Sequence, residues 1–385
     1  MKTICAITGY RSDYVKLKSV LTSIKTHDNL KLKIIAFGPH TLNDCGDTFK
    51  QILDDGFTIN EIIQSNIVGN GPESMTKSMG VSLIEITSAL TRIKPDATLI
   101  VGDRFEIMSA ALASSINNIP VIHIQGGEIS GTIDEVLRHS VTKLSHLHFP
   151  STDVSAKRIL QMGEDPRAVI NVGCPAIDFI LSQNYIGREE MNSVEPYCNY
   201  NIDFTKEYAV VVQHSVTTEY KKSFKQMTTT LEALQKYGID SFLIYPNPDA
   251  GSNGVVRAIR MMQSKYGEGF VIKEKVKNLS LLDYLNILKY SKFIIGNSSS
   301  GIREAHVFNT PAINIGTRQK GRERTPNIID VEHDVKKIFN AMVASEKHRV
   351  DSSNIYGDGQ AGAKIAQILN TIDLNALLDK RFCDI

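Results

Sequence analysis

Short apolar runs alternate with amphipathic stretches along most of the chain. The runs are rich in β-branched residues and end at glycine, proline or charge, which predicts strands. In the first half they span residues 3–8, 31–37, 97–101, 121–124 and 169–172. Between them, apolar residues recur at helical spacing over 13–24, 73–93, 106–117, 135–145 and 155–162. Strand–helix alternation of this kind predicts a parallel sheet with helices on both faces.

The alternation pauses once and then resumes. Residues 183–207 are polar, with little periodicity, and they mark the entry to a second domain. Five further strands are predicted beyond them, at 208–213, 241–245, 270–272, 292–295 and 312–315. We therefore predict the α/β class, with two doubly wound, Rossmann-like domains and a cleft between them, followed by an apolar helix near the end. The predicted boundaries are 1–180, 181–360 and 361–385.

Composition and charge narrow the class of protein further. Apolar residues make up 42% and charged residues 22%, as in an ordinary folded globular protein. Lys plus Arg number 43 and Asp plus Glu 42, and this balance argues against nucleic acid or a membrane as partner. The five cysteines are scattered, without the spacing of a disulfide framework or a zinc site, which favours a reduced, cytoplasmic protein. The apolar run at the N-terminus is too short for a signal peptide.

Charged residues follow two predicted strands of the first half, at the sheet edge where ligands bind in such folds. Arg11 comes after the turn at Gly9 and at a helix start, where a guanidinium and a helix N-terminus both favour phosphate. Asp103 and Arg104 come almost directly after strand 97–101. The alternative interpretations are a turn with a solvated arginine at Arg11, and a helix N-cap with a surface ion pair at Asp103.

The segment 123–135 is the richest in candidate chemistry. Three glycines within six residues allow the backbone to approach a ligand closely. Three carboxylates within eight residues, Glu128, Asp134 and Glu135, suit proton transfer at carbon. The alternative is a flexible loop followed by an acidic first turn that complements the helix dipole. His123, on the preceding strand, fits a packed histidine as well as a site residue.

The second half carries groups that suit an anion. His214 follows strand 208–213, where it would contact phosphate, shuttle a proton or cap a loop. A Gly/Ser turn at 296–301 opens into a helix and predicts an anion nest, with Glu304 available for ribose hydroxyls, unless the serines only cap the helix. Four cations within 318–324 suit a diphosphate or form a solvated loop. The two halves together predict a nucleotide-sugar enzyme, either a glycosyltransferase or an enzyme that abstracts a proton from the sugar.

In this order the motifs resemble those of the hydrolysing UDP-N-acetylglucosamine 2-epimerases, which open sialic-acid and other nonulosonic-acid synthesis. The resemblance extends over nearly the whole chain, in segments 8–14, 102–104, 123–135, 138–139, 296–304 and 316–319. It implies a glycosyltransferase-B-like fold with the last helix crossing back to the first domain. It also implies catalytic carboxylates in the first domain, a UDP-sugar site in the second, no metal or nicotinamide cofactor, and a homodimer or homotetramer.

The reaction that the resemblance implies has two stages. A base removes the proton at carbon 2 of the sugar while UDP leaves carbon 1, which gives a 2-acetamidoglucal. Water then adds to the double bond and releases free N-acetylmannosamine. Because bulk water must be excluded until elimination is complete, domain closure about a hinge near residue 180 is expected.

The resemblance also carries roles to individual positions. Asp103, Asp134, Glu135 and His214 match catalytic positions. The positions that match contacts to the nucleotide sugar are Arg11, Lys16, Arg104, His214, Asn247, Ser298, Ser299, Glu304 and Arg318. Two residues depart from the family pattern, since Gln125 stands where a catalytic Glu is frequent and Ser215 replaces the usual Pro.

The departure at Gln125 leaves the identity of the base open, because an amide cannot take a proton at neutral pH. Either Glu128, Asp134 or Glu135 acts as the base, or the sugar differs, or the Gln was engineered to trap a complex. The alternative substrates are UDP- or GDP-linked N,N'-diacetylbacillosamine, on the route to legionaminic acid. The segment 133–139 argues against a non-hydrolysing epimerase. The alternative from a different class is a sugar-nucleotide sensor without catalysis.

Overall fold

The chain forms two compact units in the structure, which is a computed structural model. The structure describes residues 1–43, 46–69, 71–102, 104–130, 133–247, 249–277, 279–348 and 354–384. The first unit consists of the described residues of Met1–Ile129, Ile133–Ser182 and Asn354–Ile385. The second consists of those of Gln183–Ser353, with Ser130. The first unit thus takes the chain back at Asn354, ahead of the predicted boundary at 360/361.

The first unit contains a six-stranded parallel sheet of order β3-β2-β1-β4-β5-β6. Its strands are β1 (Lys2–Thr8), β2 (Leu30–Phe37), β3 (Glu61–Ile63), β4 (Ala97–Val101), β5 (Val121–Ile124) and β6 (Leu147–Phe149). Its helices are α1 (Arg11–Lys25), α2 (Phe49–Asp54), α3 (Pro72–Ile93), α4 (Phe105–Ile116), α5 (Ile133–Leu144), α6 (Asp153–Gln161) and α7 (Pro175–Ser182). The strand predicted at 169–172 is wrong, because only Val169 forms an isolated bridge, to His148.

Both faces of this sheet are covered by helices, which explains why its strands are continuous apolar runs. On β1, Ile4 and Ala6 belong to one hydrophobic cluster, whereas Cys5 and Ile7 belong to another on the opposite face. The first cluster includes buried residues of α1 and the second includes buried residues of α3 and α4. Successive side chains of a strand therefore pack into separate cores.

The second unit repeats this plan with the strand order β12-β11-β10-β7-β8-β9, all parallel. Its strands are β7 (Ala209–Val212), β8 (Ser241–Ile244), β9 (Ile272–Val276), β10 (Phe293–Gly296), β11 (Ala312–Ile315) and β12 (Ile328–Val331). Its helices are α8 (Ser223–Tyr237), α9 (Ser252–Tyr266), α10 (Leu281–Tyr290), α11 (Ser300–Arg303) and α12 (Val335–Ala344). The predicted class of two doubly wound α/β domains is confirmed.

The strand order also locates where each unit would bind a ligand. In the first unit the order reverses between β1 and β4, and in the second between β7 and β10. Such a reversal opens a crevice beyond the carboxyl ends of the two strands, where ligands of open α/β sheets bind. The residues that follow these four strands are therefore the first place to look for a site.

The last helix, α13 (Ala361–Thr371), packs against α1 in the first unit. The Asp178 carboxylate accepts the backbone N–H groups of Ala361 and Gly362 at 3.0 and 2.6 Å, which satisfies donors that a helix start leaves free. At the other end, Lys2 Nζ donates to the Leu369 carbonyl at 3.0 Å. Among the described helices, none combines the length and the apolar character needed to cross a bilayer.

Candidate functional site

Positively charged side chains gather beyond β1 and β4 of the first unit. Arg11 begins α1, and the amine of Lys16 lies 3.6 Å from the position that a Cβ at Gly102 would take. Arg104 precedes α4, and its guanidinium binds the buried Glu106 carboxylate through two hydrogen bonds of 3.1 and 2.9 Å. Arg11, Lys16 and Arg104 thus lie at the β1/β4 crevice. Asp103 lies outside the described residues.

Gln125 stands at the end of β5 with its side chain directed into the unit. Only 1% of the residue is exposed, and its φ of +63° is a left-handed conformation that residues other than glycine seldom adopt. Its backbone N–H donates to the Phe149 carbonyl at 2.9 Å, and its side-chain amide donates to Cys174 Sγ at 3.0 Å. The amide of Gln125 therefore contacts the residue that precedes α7.

The loop that follows is held in place by two arginines. Arg158 donates to the Gly127 carbonyl at 3.0 Å, and Arg138 donates to the Glu128 carbonyl at 2.6 Å. A Cβ at Gly127 would lie 2.2 Å from the Ser155 carbonyl oxygen, so this position requires glycine. These contacts fix the backbone on either side of the Glu128 carboxylate.

Glu128, Asp134 and Glu135 all lie around the start of α5. Asp134 and Glu135 are in its first turn, and Glu128 is only 5% exposed. Because Arg138 of the same helix binds the Glu128 carbonyl, helix and loop form one piece. The structure therefore groups the three carboxylates that are candidates for the base.

His123 has a structural role in the first unit. It is fully buried, and its Nε2 hydrogen-bonds the Gly102 carbonyl at 2.8 Å, which links the ends of β4 and β5. Burial lowers the pKa of His123 to about 4, so the ring is neutral at physiological pH. The packed-histidine interpretation thus accounts for this residue.

In the second unit, His214 and Asn297 join the ends of β7 and β10 across the crevice. The His214 N–H donates to Asn297 Oδ1 at 2.8 Å, and Asn297 Nδ2 donates to the His214 carbonyl at 2.9 Å. The ring Nδ1 of His214 accepts the Asn247 N–H at 3.1 Å. In a neutral ring the proton then resides on Nε2, so His214 presents a donor of the kind that suits an anion.

The Gly/Ser turn after β10 begins at the same place. Gly296 has a φ of +137°, and a Cβ there would lie 2.1 Å from the Val212 carbonyl oxygen, so the close approach of β7 requires glycine. Ser298 Oγ accepts the Ser300 N–H at 3.2 Å, and Ser299 is the N-cap residue of α11. The helix that we expected after this turn is only the four residues of α11.

The loop after β11 converges on Asn297 as well. Arg318 donates to the Asn297 carbonyl at 3.1 Å, and Gln319 donates to it at 2.9 Å. The structure thus gathers His214, Asn247, Ser298 and Arg318 around one buried amide residue, with Glu304 directly after α11. Asn297 holds these groups in place, and this role was not among the predictions from sequence. The residue could have been identified, because it lies within the Gly-Asn-Ser-Ser-Ser run that predicted the anion nest.

The described parts of the chain contain no group of His, Cys, Asp and Glu side chains arranged to hold a metal ion. The side chains that the structure places at the two crevices are charged groups and hydrogen-bond donors. In the second unit these are a histidine Nε2–H, serine hydroxyls and a guanidinium, which suit a diphosphate. In the first unit they are carboxylates and cations.

Known proteins of one family are similar to this chain over nearly its whole length. Residues 22–370 match the family model described as UDP-N-acetylglucosamine 2-epimerase. The UDP-N,N'-diacetylbacillosamine 2-epimerase (hydrolyzing) of Legionella pneumophila is 33% identical over 98% of this chain and 97% of its own. The GDP/UDP-N,N'-diacetylbacillosamine 2-epimerase (hydrolyzing) of Campylobacter jejuni is 34% identical over 100% and 99%. The UDP-N-acetylglucosamine 2-epimerase of Neisseria meningitidis is 32% identical over 100% of both chains.

Solved structures show the same fold at lower sequence identity. The UDP-GlcNAc 2-epimerase from Neisseria meningitidis bound to UDP-GlcNAc superposes with a TM-score of 0.78 at 19% identity, over 95% of this chain and 99% of that one. The S. aureus MnaA-UDP co-structure gives 0.77 at 20% identity, over 100% of both chains.

Proposed function

Because the chain belongs to the UDP-N-acetylglucosamine 2-epimerase family, we propose that it is a hydrolysing 2-epimerase. It converts UDP-N-acetylglucosamine into N-acetylmannosamine and UDP, as a supply step for sialic-acid-type sugars. The observation that carries the proposal is the convergence of His214, Arg318 and the Ser298 turn on Asn297, since these donors suit a departing diphosphate. The hydrolysing outcome is supported by the printed names of two full-length relatives.

In this mechanism the second unit stabilises the leaving group. The His214 Nε2–H and the Arg318 guanidinium neutralise charge that develops on the diphosphate as the bond to carbon 1 breaks. Early departure of UDP leaves the sugar ring cationic, and this makes the proton on carbon 2 more acidic. The second unit therefore promotes a proton transfer that it does not itself carry out.

The first unit supplies the acid–base groups. Gln125 is excluded as the base because an amide takes no proton and its side chain is bound to Cys174. Glu128, Asp134 and Glu135 remain as candidates, and Asp103 keeps the catalytic role that the family implies. Hydration of the glucal intermediate then requires a proton at carbon 2 and water at carbon 1.

The direct test is incubation with UDP-N-acetylglucosamine in deuterated water, followed by nuclear magnetic resonance of the products. The proposal predicts equal amounts of UDP and free N-acetylmannosamine, with deuterium at carbon 2. An intact UDP-linked epimer would show a non-hydrolysing enzyme. Binding without turnover of any 2-acetamido sugar would show a sensor, and either result would overturn the proposal.

The base is identified with Glu128→Gln, Asp134→Asn and Glu135→Gln. Loss of the base should lower kcat about 100-fold or more while UDP affinity, a property of the second unit, stays the same. Glu73→Gln is the matched control, because Glu73 pairs with Lys77 on the surface of α3 and its loss should change neither quantity. If all three variants keep full turnover, the base lies elsewhere.

A second substrate, UDP- or GDP-linked N,N'-diacetylbacillosamine, is favoured by one specific observation. Two relatives named for that sugar are 33% and 34% identical over nearly the full chain, against 32% for the relative named for N-acetylglucosamine. The ratio of kcat/KM for the two UDP-sugars and for the GDP-linked one decides the substrate.

A further inference from the structure

Asp13 is a buried carboxylate beside the β1/β4 crevice that local structure does not explain. It lies in the first turn of α1 and is 0% exposed. Ser12 Oγ approaches its Oδ1 at 3.5 Å, and within the described residues its Oδ2 has no hydrogen-bond partner. A carboxylate at this position usually caps its own helix, but an oxygen without a partner leaves much of that capacity unused. A buried oxygen of this kind destabilises the fold, so another reason is needed for its presence.

The charges that act on Asp13 come from its own helix and from the start of α4. Lys16 follows one turn later on α1, and the Arg104 guanidinium, which is paired with Glu106, lies 4.6 Å from the centroid of the Tyr10 ring at the N-cap of the same helix. Burial raises the pKa of Asp13 to about 6, the positive charges of Lys16 and Arg104 lower it, and Glu106 raises it. The four groups are electrically neutral together when Asp13 is ionised and carry one net positive charge when it is protonated.

We propose that Asp13 is a positioning residue, whose buried negative charge attracts Lys16 and Arg104 and keeps them in the arrangement that the substrate requires. The inference rests on the proposed function and on the match of Lys16 and Arg104 to family positions that contact the nucleotide sugar. Asp13 itself is fully buried, so it acts on a substrate only through those two cations. The ionised form is the productive one, because only the carboxylate opposes both positive charges.

The stability of an Asp13→Asn variant separates this role from a structural one. The folded-state pKa of Asp13 lies above its ordinary value, so the ionised group destabilises the fold increasingly as pH rises from about 4 to about 6. Asn removes the charge and keeps the shape. The variant should therefore have an equal or higher Tm at pH 8, whereas a carboxylate kept for structure would give a lower one.

The activity of the same variant carries the main test. We expect kcat/KM of the wild-type enzyme to fall below about pH 6, and Asp13→Asn to remove this acid limb and to lower kcat/KM at pH 8 by about 10- to 100-fold. UDP affinity, measured by calorimetry, should be unchanged. Asp13→Glu should restore part of the activity together with the acid limb. An acid limb that survives in Asp13→Asn, or full activity at pH 8, overturns the inference.

Asp55→Asn is the matched control. Asp55 also binds α1, through the Tyr14 hydroxyl at 2.5 Å and Lys18 at 2.7 Å, but it lies outside the four-charge cluster. Its loss should leave the pH profile and kcat/KM unchanged. If the wild-type enzyme turns over no UDP-sugar, the proposed function fails. If it does and the two Asn variants behave alike, only the inference about Asp13 fails.

Discussion

Replacing Gln125 by glutamate tests how the loop after β5 is built. Glutamate restores the residue that is frequent in the family. If residue 125 faced the substrate at the edge of the sheet, the variant would gain a new catalytic base. The structure predicts a different outcome. The Gln125 side chain is buried and its amide donates to Cys174 Sγ, so a glutamate would lose the donor and bury a carboxylate against a thiol.

The magnitude follows from the burial of the new charge. Full burial raises a carboxyl pKa by up to about 3–5 units. A rise of about 2–3 units at this site corresponds to about 3–4 kcal/mol of lost stability once the group would be ionised. The sign is fixed, because a pKa raised in the folded state penalises the fold above the unfolded value of about 4.3 and not below it. At pH 5.5 the loss should therefore be only about 1.5 kcal/mol.

The assay is urea unfolding at pH 5.5 and pH 8.0, with Gln125→Met as the control. Methionine has a similar length and no charge, so its loss of the hydrogen bond should cost about 1 kcal/mol, equally at both pH values. UDP affinity should be unchanged in both variants, and kcat should not rise in Gln125→Glu. A glutamate variant as stable as the wild type at pH 8.0 would refute the buried position of this side chain, and with it the exclusion of residue 125 from proton transfer.

Three further predictions concern residues that hold the two units in shape. Gly296→Ala should destabilise the second unit by several kcal/mol and abolish UDP binding, as seen by thermal unfolding and calorimetry, because its Cβ would overlap the neighbouring strand. Asn297→Ala should lower UDP affinity at least about 10-fold, since both backbone groups of His214 lose their partner. Lys380→Met should destabilise the first unit by about 1–3 kcal/mol at pH 7, because Lys380 binds the buried Glu164 carboxylate. That last loss should shrink as pH falls towards 2, because the pKa of Glu164 is about 2 and its ion pairs disappear when it is protonated.

The central strands of both sheets could be predicted from sequence because the pattern that identifies each strand lies in its own residues. A strand buried on both faces, such as β1 or β4, must be a continuous apolar run, and such runs are visible without any knowledge of the neighbours. The strands β3 and β6 have only three residues each, and they exist because a longer strand beside them offers hydrogen bonds. Conversely, 169–172 has strand composition but forms only a single bridge, to His148.

The candidate site shows the same division between local and non-local information. The glycines and serines at 296–301 indicate a turn that approaches an anion, and they are visible in the sequence itself. The pairing of His214 with Asn297 joins residues 83 positions apart, and it depends on the register of β7 against β10. The direction of the Gln125 side chain depends on the positive φ of this residue. A positive φ is expected from sequence at glycine, and a glutamine gives no indication of it.

The buried polar residues at the two crevices differ in a way that predicts opposite effects of mutation. In the second unit, both side-chain atoms of Asn297 and its carbonyl are hydrogen-bonded, and a satisfied neutral network of this kind rigidifies a binding site. In the first unit, Asp13 is charged and has an oxygen without a partner in the described part of the chain, which weakens the fold. Substituting Asn297 should therefore lower stability and UDP affinity together, whereas Asp13→Asn should raise stability while turnover falls. The test is thermal unfolding and kcat measured on both variants in one buffer at pH 8. A shared sign of the stability change would contradict this division between a rigid leaving-group site and a destabilising buried charge.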